Sequence, residues 1–235
     1  MRRAVPAGRG GRRTAASGAA PVGSPARWRA TCECVVGVAW SPQAVGVVPA
    51  PLVRVPGPVL VIGARYATSP VGPYVELAVV EPVRLGARPG SCATVMVVDT
   101  AASLDEGRAR WSFPKQLGTL EWSPGGDGTA RLRWPEGDVE LSGRPIGPRA
   151  PVPLPTWCLQ SGDAGVVATG AHVRGRARLA SVRVDTGPGS PLAGLAGRHP
   201  GLCIGRGMLT MGSAHPLGRR RAGGLAGRPA ERPRR

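Results

Sequence analysis

The chain has 235 residues, of which 42% are hydrophobic, and this is enough to bury the core of one ordinary domain. Its formal charge of +17 is typical of nucleic-acid-binding proteins, but +13 of that charge lies on residues 1–30 and 216–235. The nearly balanced part between them makes nucleic acid an unexpected partner, and no apolar run reaches the roughly 18 residues of a transmembrane helix.

The two ends, residues 1–30 and 216–235, are rich in Arg, Gly, Ala and Pro and show no apolar periodicity. Such segments cannot bury enough surface to offset the entropy of ordering, so we predict two disordered basic tails around one domain at 31–215. Two alternatives stay open: the tails bind phosphate backbones, or translation starts downstream of Met1. Because the first residues lack the apolar stretch of a secretory signal, we expect a cytoplasmic protein without membrane contact.

Short β-type runs alternate with Gly and Pro through the central part, which predicts an α+β, β-rich fold with many tight turns. The glycine-rich segment at 125–128 lies between two such runs and is typical of a hairpin turn. The predicted strands are 34–39, 58–65, 74–83, 92–99, 117–122, 129–134, 137–142 and 164–184, the last divided into two.

Two short helices are predicted. One covers 42–47, with a proline in its first turn. The other follows Asp99, where Ser103 and Glu106 have the spacing of a capping box and Pro114 ends the helix.

The cysteines and histidines give no metal signature. The cysteines are odd in number and widely spaced, which predicts buried free thiols, and no histidine has a partner at metal-ligand spacing. We therefore expect no metal and no other cofactor. The residues are Cys32, Cys34, Cys92, Cys158 and Cys203, and His172, His199 and His215.

Lys115 is the only lysine, against 30 arginines. Arginine replaces lysine as a solvated charge, but it cannot be deprotonated at cellular pH and cannot condense with a carbonyl. A single lysine kept in so arginine-rich a chain therefore indicates amine chemistry. The alternative is a solvated lysine at the end of a helix, and these arguments alone do not separate the two.

Three segments around Lys115 resemble the acetoacetate decarboxylase family. Gly107–Arg108 and Trp111–Lys115 resemble its Gly-Arg-Glu-x-x-(Gly/Ala)-(Phe/Tyr)-Pro-Lys signature. Upstream, Val71–Glu76 resembles the family's Gly-x-Tyr-x-Glu strand, and Val47–Leu52 resembles its Val-Val-Pro-x-Pro-Leu element. The similarity is good over Cys34–Gly143, and beyond Gly165 it follows only the general strand pattern.

The resemblance implies a cone-like, largely antiparallel β-barrel with an apolar cavity around Lys115, which would be the Schiff-base amine. Glu76 would be the cavity carboxylate that positions substrate or handles a proton, although an edge-strand glutamate in water is the alternative. Tyr74 and Phe113 would contact the substrate, a small keto acid. Arg29 would meet its carboxylate, an assignment that needs a one-residue gap. We also expect a homo-oligomer.

Two departures from the family pattern bear on the substrate. Family members with decarboxylase activity have two consecutive lysines, whereas the second position here is Gln116, and Ala109 replaces the acidic residue of the signature. Three functions therefore stay open: decarboxylation of acetoacetate or a related β-keto acid, a Schiff-base aldolase-dehydratase acting on another keto acid, and a non-catalytic protein that binds a ligand or nucleic acid. Arg108 is expected to support the helix or the cavity wall, with a direct role as the alternative.

Overall fold

The computed structural model describes residues 27–41, 43–125, 128–163 and 165–217, which form mainly β-strands around one α-helix. The strands are β1 (Trp28–Trp40), β2 (Val53–Arg54), β3 (Pro58–Thr68), β4 (Tyr74–Leu85), β5 (Arg88–Val98), β6 (Lys115–Leu117), β7 (Glu121–Pro124), β8 (Ala130–Trp134), β9 (Val139–Gly162), β10 (Gly165–Thr186), β11 (Gly197–Met211) and β12 (His215–Pro216). The helix is α1 (Ala101–Trp111).

The long strands close into a ring. Their order is β10, β11, β1, β3, β4, β5 and β9, and β9 pairs again with β10. All these pairs are antiparallel except the single bridge between Ser91 of β5 and Cys158 of β9, and β6 lies parallel to β5. The closed ring with one helix confirms the predicted β-rich, largely antiparallel fold.

Both faces of the central strands are buried, and the two faces serve different cores. Successive side chains of a strand point to opposite sides. On β1, Val35 and Ala39 therefore pack into one core, which also contains Leu77 and Leu141. The opposite face of β1, with Trp28, lies in a second core. The apolar runs of these strands follow from this double burial.

Most of the predicted strands are confirmed, and β1, β3, β4, β5, β9 and β10 each extend past at least one of their predicted ends. The run predicted at 117–122 is wrong, because it is split between β6 and β7 and its middle residues leave the strand. The segment 164–184 was predicted as two strands but is the single strand β10, whose register shift lies between Arg176 and Ala177. The sequence did not predict β11, which pairs with both β1 and β10.

Two helix predictions need correction. Residues 43–47 are not helical, and Pro42 lies outside the described residues. The N-cap of α1 is Thr100, whose hydroxyl accepts from the Ser103 amide at 3.4 Å, so the predicted capping box is wrong. Within the described residues, no helix is long and apolar enough to cross a membrane.

The predicted tails fall almost entirely on residues that the structure does not describe, 1–26 and 218–235. At the boundaries, β1 already begins at Trp28, and Pro216 belongs to β12, so strand structure extends slightly beyond 31–215. The hairpin turn predicted at 125–128 includes residues 126 and 127, which lie outside the described residues, and the strands on either side of it, β7 and β8, pair antiparallel.

Strand β9 has one edge with few partners. It pairs with β10 almost throughout, whereas on its other side β8 covers only Val139–Gly143 and β5 meets only Cys158. No strand among the described residues pairs with the edge between these points. This stretch contains Pro145, Pro148, Pro151, Pro153 and Pro155.

A buried carboxylate fixes the segment that replaces the predicted first helix. Glu81 of β4 is fully buried and accepts hydrogen bonds from the amides of Val45 and Gly46, both at 3.1 Å. It also accepts from Thr94 Oγ1 at 2.9 Å and pairs with Arg54 Nε at 2.6 Å. Glu81 therefore holds the 43–46 segment and β2 against the ring.

Candidate active site

Lys115 is buried at the start of β6, beside Met96 of β5. Its Nζ lies 2.8 Å from Glu76 Oε2 and donates to Ser103 Oγ at 2.9 Å. The same Nζ lies 5.1 Å from the ring centroid of Tyr74, a cation–π distance. Three different elements, β4, α1 and β6, therefore converge on one amine.

Helix α1 presents its inner face to this lysine. Ser103, Gly107 and Trp111 are spaced four residues apart, so they share one face of the helix, and all three are buried. A Cβ atom at Gly107 would lie 2.6 Å from Lys115 Cδ and 2.7 Å from Cε. The lysine side chain therefore crosses the helix where only glycine leaves room.

The loop after α1 sets the direction of Lys115. Ser112 has φ 56°, a left-handed conformation that ends the helix, and its amide donates to Arg108 O at 3.1 Å. Arg108 Nε in turn donates to the backbone carbonyl of Lys115 at 2.9 Å. Arg108 thus contacts the main chain of the lysine and supports the wall.

We predict that Gly107→Ala slows the labelling of Lys115 by acetoacetate and borohydride about tenfold or more, because the added methyl group pushes the lysine side chain away from Glu76. The fold should persist, since alanine is favoured over glycine in helices by up to about 1 kcal/mol. The measurement is the rate of adduct formation together with the thermal midpoint. Ala109→Gly, at an exposed position of the same helix, is the control; equal labelling rates in the two variants would contradict the prediction.

Glu76 is buried and has a partner on each oxygen. Besides Lys115 on Oε2, Tyr66 donates its hydroxyl to Oε1 at 3.3 Å. The Tyr66 and Tyr74 rings stack with centroids 4.5 Å apart. Burial first, and the Glu76 charge second, raise the pKa of both tyrosine hydroxyls well above the ordinary value, so these hydroxyls stay protonated.

The polar groups lie at a cavity of about 340 Å³ between the ring strands. Both tyrosines and the single phenylalanine of the chain line it. Phe113 and Tyr74, which were predicted to contact substrate, are therefore brought together with Lys115 and Glu76. The other lining residues include Trp28, Cys32, Cys34, Val36, Leu60, Ile62, Tyr66, Ala78, Val80, Ala93, Met96, Trp111, Thr156, Cys158, Ile204, Leu209 and Met211.

The prediction for Arg29 needs correction. Its side chain is exposed, while its neighbours Trp28 and Ala30 are buried, so Arg29 points to the outside of the ring. It lines a surface groove with Arg27 and Arg174 and does not line the cavity. Among the described lining residues, Lys115 is the only cation.

Gln116, the position that differs from the double-lysine pattern, is exposed, whereas Lys115 is buried. Neighbouring residues of a strand point to opposite faces. A lysine at position 116 would therefore extend into solvent, away from the cavity.

No disulfide joins the five cysteines, all of which lie in the described residues, and all but the partly exposed Cys158 are buried. Cys32 and Cys34 both face the cavity. A hydrogen bond between the two thiols lowers the pKa of Cys32, and the same bond, together with burial, raises the pKa of Cys34. In the described part of the chain, no three His, Cys, Asp or Glu side chains cluster as metal ligands.

Sequence reasoning missed several cavity residues. Tyr66 and Trp28 lie in strands whose sequence gives no chemical motif, although two tyrosines in a whole chain are a usable signal. The spacing of Ser103 from Glu106 predicts a cap, yet its spacing of four and eight residues from Gly107 and Trp111 indicates a shared helix face.

Fold and site together define a class of protein, a closed β-ring with a lysine–carboxylate pair buried in an apolar cavity. The sequence identifies the family within this class, because the family model for acetoacetate decarboxylase matches residues 16–193. The chain belongs to the acetoacetate decarboxylase family.

Solved structures share this fold. One is the acetoacetate decarboxylase of Legionella pneumophila, 18% identical with TM-score 0.57, covering 85% of this chain and 92% of that chain. Another is the acetoacetate decarboxylase-like enzyme of Sphingomonas wittichii RW1, 15% identical with TM-score 0.56, covering 86% and 96%. A third is the enduracididine biosynthesis enzyme MppR, 17% identical with TM-score 0.55, with a match that covers 81% of this chain and 87% of that chain. Among curated proteins, none matches the sequence significantly.

Proposed function

We propose that the protein is a lyase that forms a Schiff base between Lys115 and a small β-keto acid and releases carbon dioxide. The observation that carries this proposal is the amine of Lys115, buried at the cavity and 2.8 Å from the Glu76 carboxylate. A buried amine with a carboxylate in contact has both the nucleophile and the proton acceptor that imine formation needs.

The proton balance follows from this pair. Transfer of one proton from the Lys115 ammonium to Glu76 leaves a neutral amine, which adds to the ketone carbon. The proton held by Glu76 then helps to expel water, and a protonated imine forms. The carbon–carbon bond to the carboxylate then breaks, its two electrons move into the protonated imine to give an enamine, and carbon dioxide departs. The resulting enamine takes up a proton from water through Glu76, and hydrolysis returns the amine and a ketone.

Electrostatics favour loss of the carboxylate. A keto acid bound here would meet no guanidinium among the described lining residues, and a buried carboxylate without a cationic partner is costly. The iminium is the one positive group close to it. Charge moves from the carboxylate into that iminium as the bond breaks, so the cavity stabilises the transition state more than the bound acid.

A second candidate is an aldolase-dehydratase that uses the same imine. Position 116, where the decarboxylases have a second lysine, is exposed here and does not select between the two reactions. The structural relative MppR has been solved in complex with the condensation product of pyruvate and imidazole 4-carboxaldehyde. For this chain, the enamine would then attack an aldehyde instead of taking up a proton.

Borohydride reduction in the presence of acetoacetate or a longer β-keto acid tests the proposal. We expect a stable adduct at pH 7, assigned to Lys115 by peptide mass, and release of carbon dioxide in the absence of borohydride. An adduct without carbon dioxide would favour the second candidate. If no adduct forms with any keto acid, the protein binds ligands without this chemistry.

We predict that Glu76→Gln lowers turnover about a hundredfold while the fold is retained, because the amide cannot take the proton from Lys115. Initial rates and the thermal midpoint are the measurements. Glu33→Gln is the control, since Glu33 pairs with Arg65 at 2.8 Å and does not line the cavity. An unchanged rate and pH profile in Glu76→Gln would remove Glu76 from the chemistry.

A further inference from the structure

The cavity continues well beyond the groups that the proposed reaction uses. The strand register places Cys34, Ala64, Glu76 and Val98 in one row across the sheet. Two more rows follow on the same face and contain only apolar side chains. They are Val36, Ile62, Ala78 and Met96, and then Leu60, Val80 and Ala93.

These rows extend the cavity in one direction. From Glu76 to Val80 the chain advances four residues along β4, about 13 Å at the rise of an extended strand. All seven residues of these two rows line the cavity: Val36, Leu60, Ile62, Ala78, Val80, Ala93 and Met96. The polar end at Lys115 thus opens onto an apolar channel.

The volume agrees with a ligand larger than acetoacetate. The cavity measures about 340 Å³, whereas an apolar cavity of about 150 Å³ is enough to hold benzene. Acetoacetate has about as many non-hydrogen atoms as benzene. More than half of the space would therefore stay empty with acetoacetate bound.

Charge limits what can fill the remaining space. Lys115 and Glu76 are the charged residues among the described lining residues, and they pair with each other. No second cation is available within this lining for a carboxylate at the far end of a ligand. A carboxylate that leaves water for this apolar lining without gaining a cation is disfavoured, so we expect a dicarboxylic keto acid to bind poorly.

We propose that the substrate is a β-keto acid with an unbranched apolar tail of about five carbons, which lies along the rows formed by Val36, Ile62, Leu60 and Val80. The ketone then reaches Lys115, and the tail displaces water from the channel. Each buried methylene tightens binding about fourfold. This inference rests on the proposed Schiff base only for the orientation of the ketone.

The first test compares borohydride labelling of Lys115 by acetoacetate, 3-oxooctanoate and 3-oxoadipate in the full-length protein. We expect half-maximal labelling by 3-oxooctanoate at a concentration at least thirtyfold below that for acetoacetate, and little labelling by the dicarboxylate 3-oxoadipate. Equal concentrations for half-maximal labelling by acetoacetate and 3-oxooctanoate, or efficient labelling by 3-oxoadipate, would overturn the inference.

A second test does not depend on the lysine chemistry. Calorimetric titration with 2-butanol, 2-hexanol and 2-octanol, which have no carbonyl, should give dissociation constants that fall about sixteenfold for every two methylenes. No dependence on chain length would overturn the apolar channel even if Lys115 is labelled. A clear dependence without any labelling would instead contradict only the proposed reaction.

A variant locates the tail. Val80→Phe adds a ring to the last row of the channel. It should weaken the binding of 3-oxooctanoate by a factor at least ten times larger than its effect on the binding of acetoacetate. The control is Val47→Phe, because Val47 is exposed and lies outside the cavity lining. Equal losses for both acids in Val80→Phe would place the tail elsewhere.

Discussion

Lys115→Arg is expected to abolish borohydride labelling and reduce turnover at least a thousandfold, while expression and folding persist. Arginine keeps the positive charge beside Glu76 but has no amine that condenses with a ketone. Labelling is read by intact mass and by peptide mapping. Because the chain has one lysine, an adduct on any lysine side chain is an adduct on Lys115.

The double variant Lys115→Arg with Gln116→Lys is a matched control. It restores one lysine but moves it to the exposed position beside the original one. We expect no adduct at pH 7, because a solvated amine is protonated there. Labelling of this variant as fast as the native chain would show that burial of the amine is not required.

Glu81→Ala is expected to lower the free energy of unfolding by about 3–5 kcal/mol. The substitution leaves Arg54, Thr94 and two backbone amides without the carboxylate that they share. For a chain of this size, the thermal midpoint should fall by about 10 °C. Denaturant unfolding followed by tryptophan fluorescence gives the energy directly.

An exposed ion pair is the control for this substitution. Glu121 lies 3.8 Å from Arg133, and both side chains are more than half exposed, so Glu121→Ala should change stability by less than about 1 kcal/mol. Similar losses of unfolding free energy for Glu81→Ala and Glu121→Ala would mean that Glu81 is not the main attachment of the 43–46 segment.

Sequence reasoning succeeds where the local pattern and the tertiary environment agree. The strands β3 and β4 are rich in β-branched residues and are bounded by Gly and Pro, so their positions can be predicted. The motif around Lys115 is equally local, and the structure brings Lys115 close to Glu76.

Failures arise where distant contacts decide the structure. Strand β11 is rich in glycine, and its extended form depends on pairing with β1 and β10. The segment 43–47 has a helical pattern, but Glu81 binds two of its amides and holds it in another conformation. For Arg29, alternation along β1 already indicates a side chain that points away from the buried Trp28, whereas the resemblance to the family places it at the substrate.

The prolines of β9 have a consequence for how copies of this protein can meet. Pro151 and Pro155 lie four residues apart in β9, so their backbone nitrogens point to the same edge of the strand. Because pairing with β10 continues across both residues, that edge is the free one, and it lacks the two N–H donors that proline does not have. An approaching strand would find too few donors there to extend the sheet. A homo-oligomer of this chain, which we propose, would therefore not form by strand addition along this stretch of β9, and the same stretch resists the edge-to-edge stacking that leads other β-proteins into fibrils.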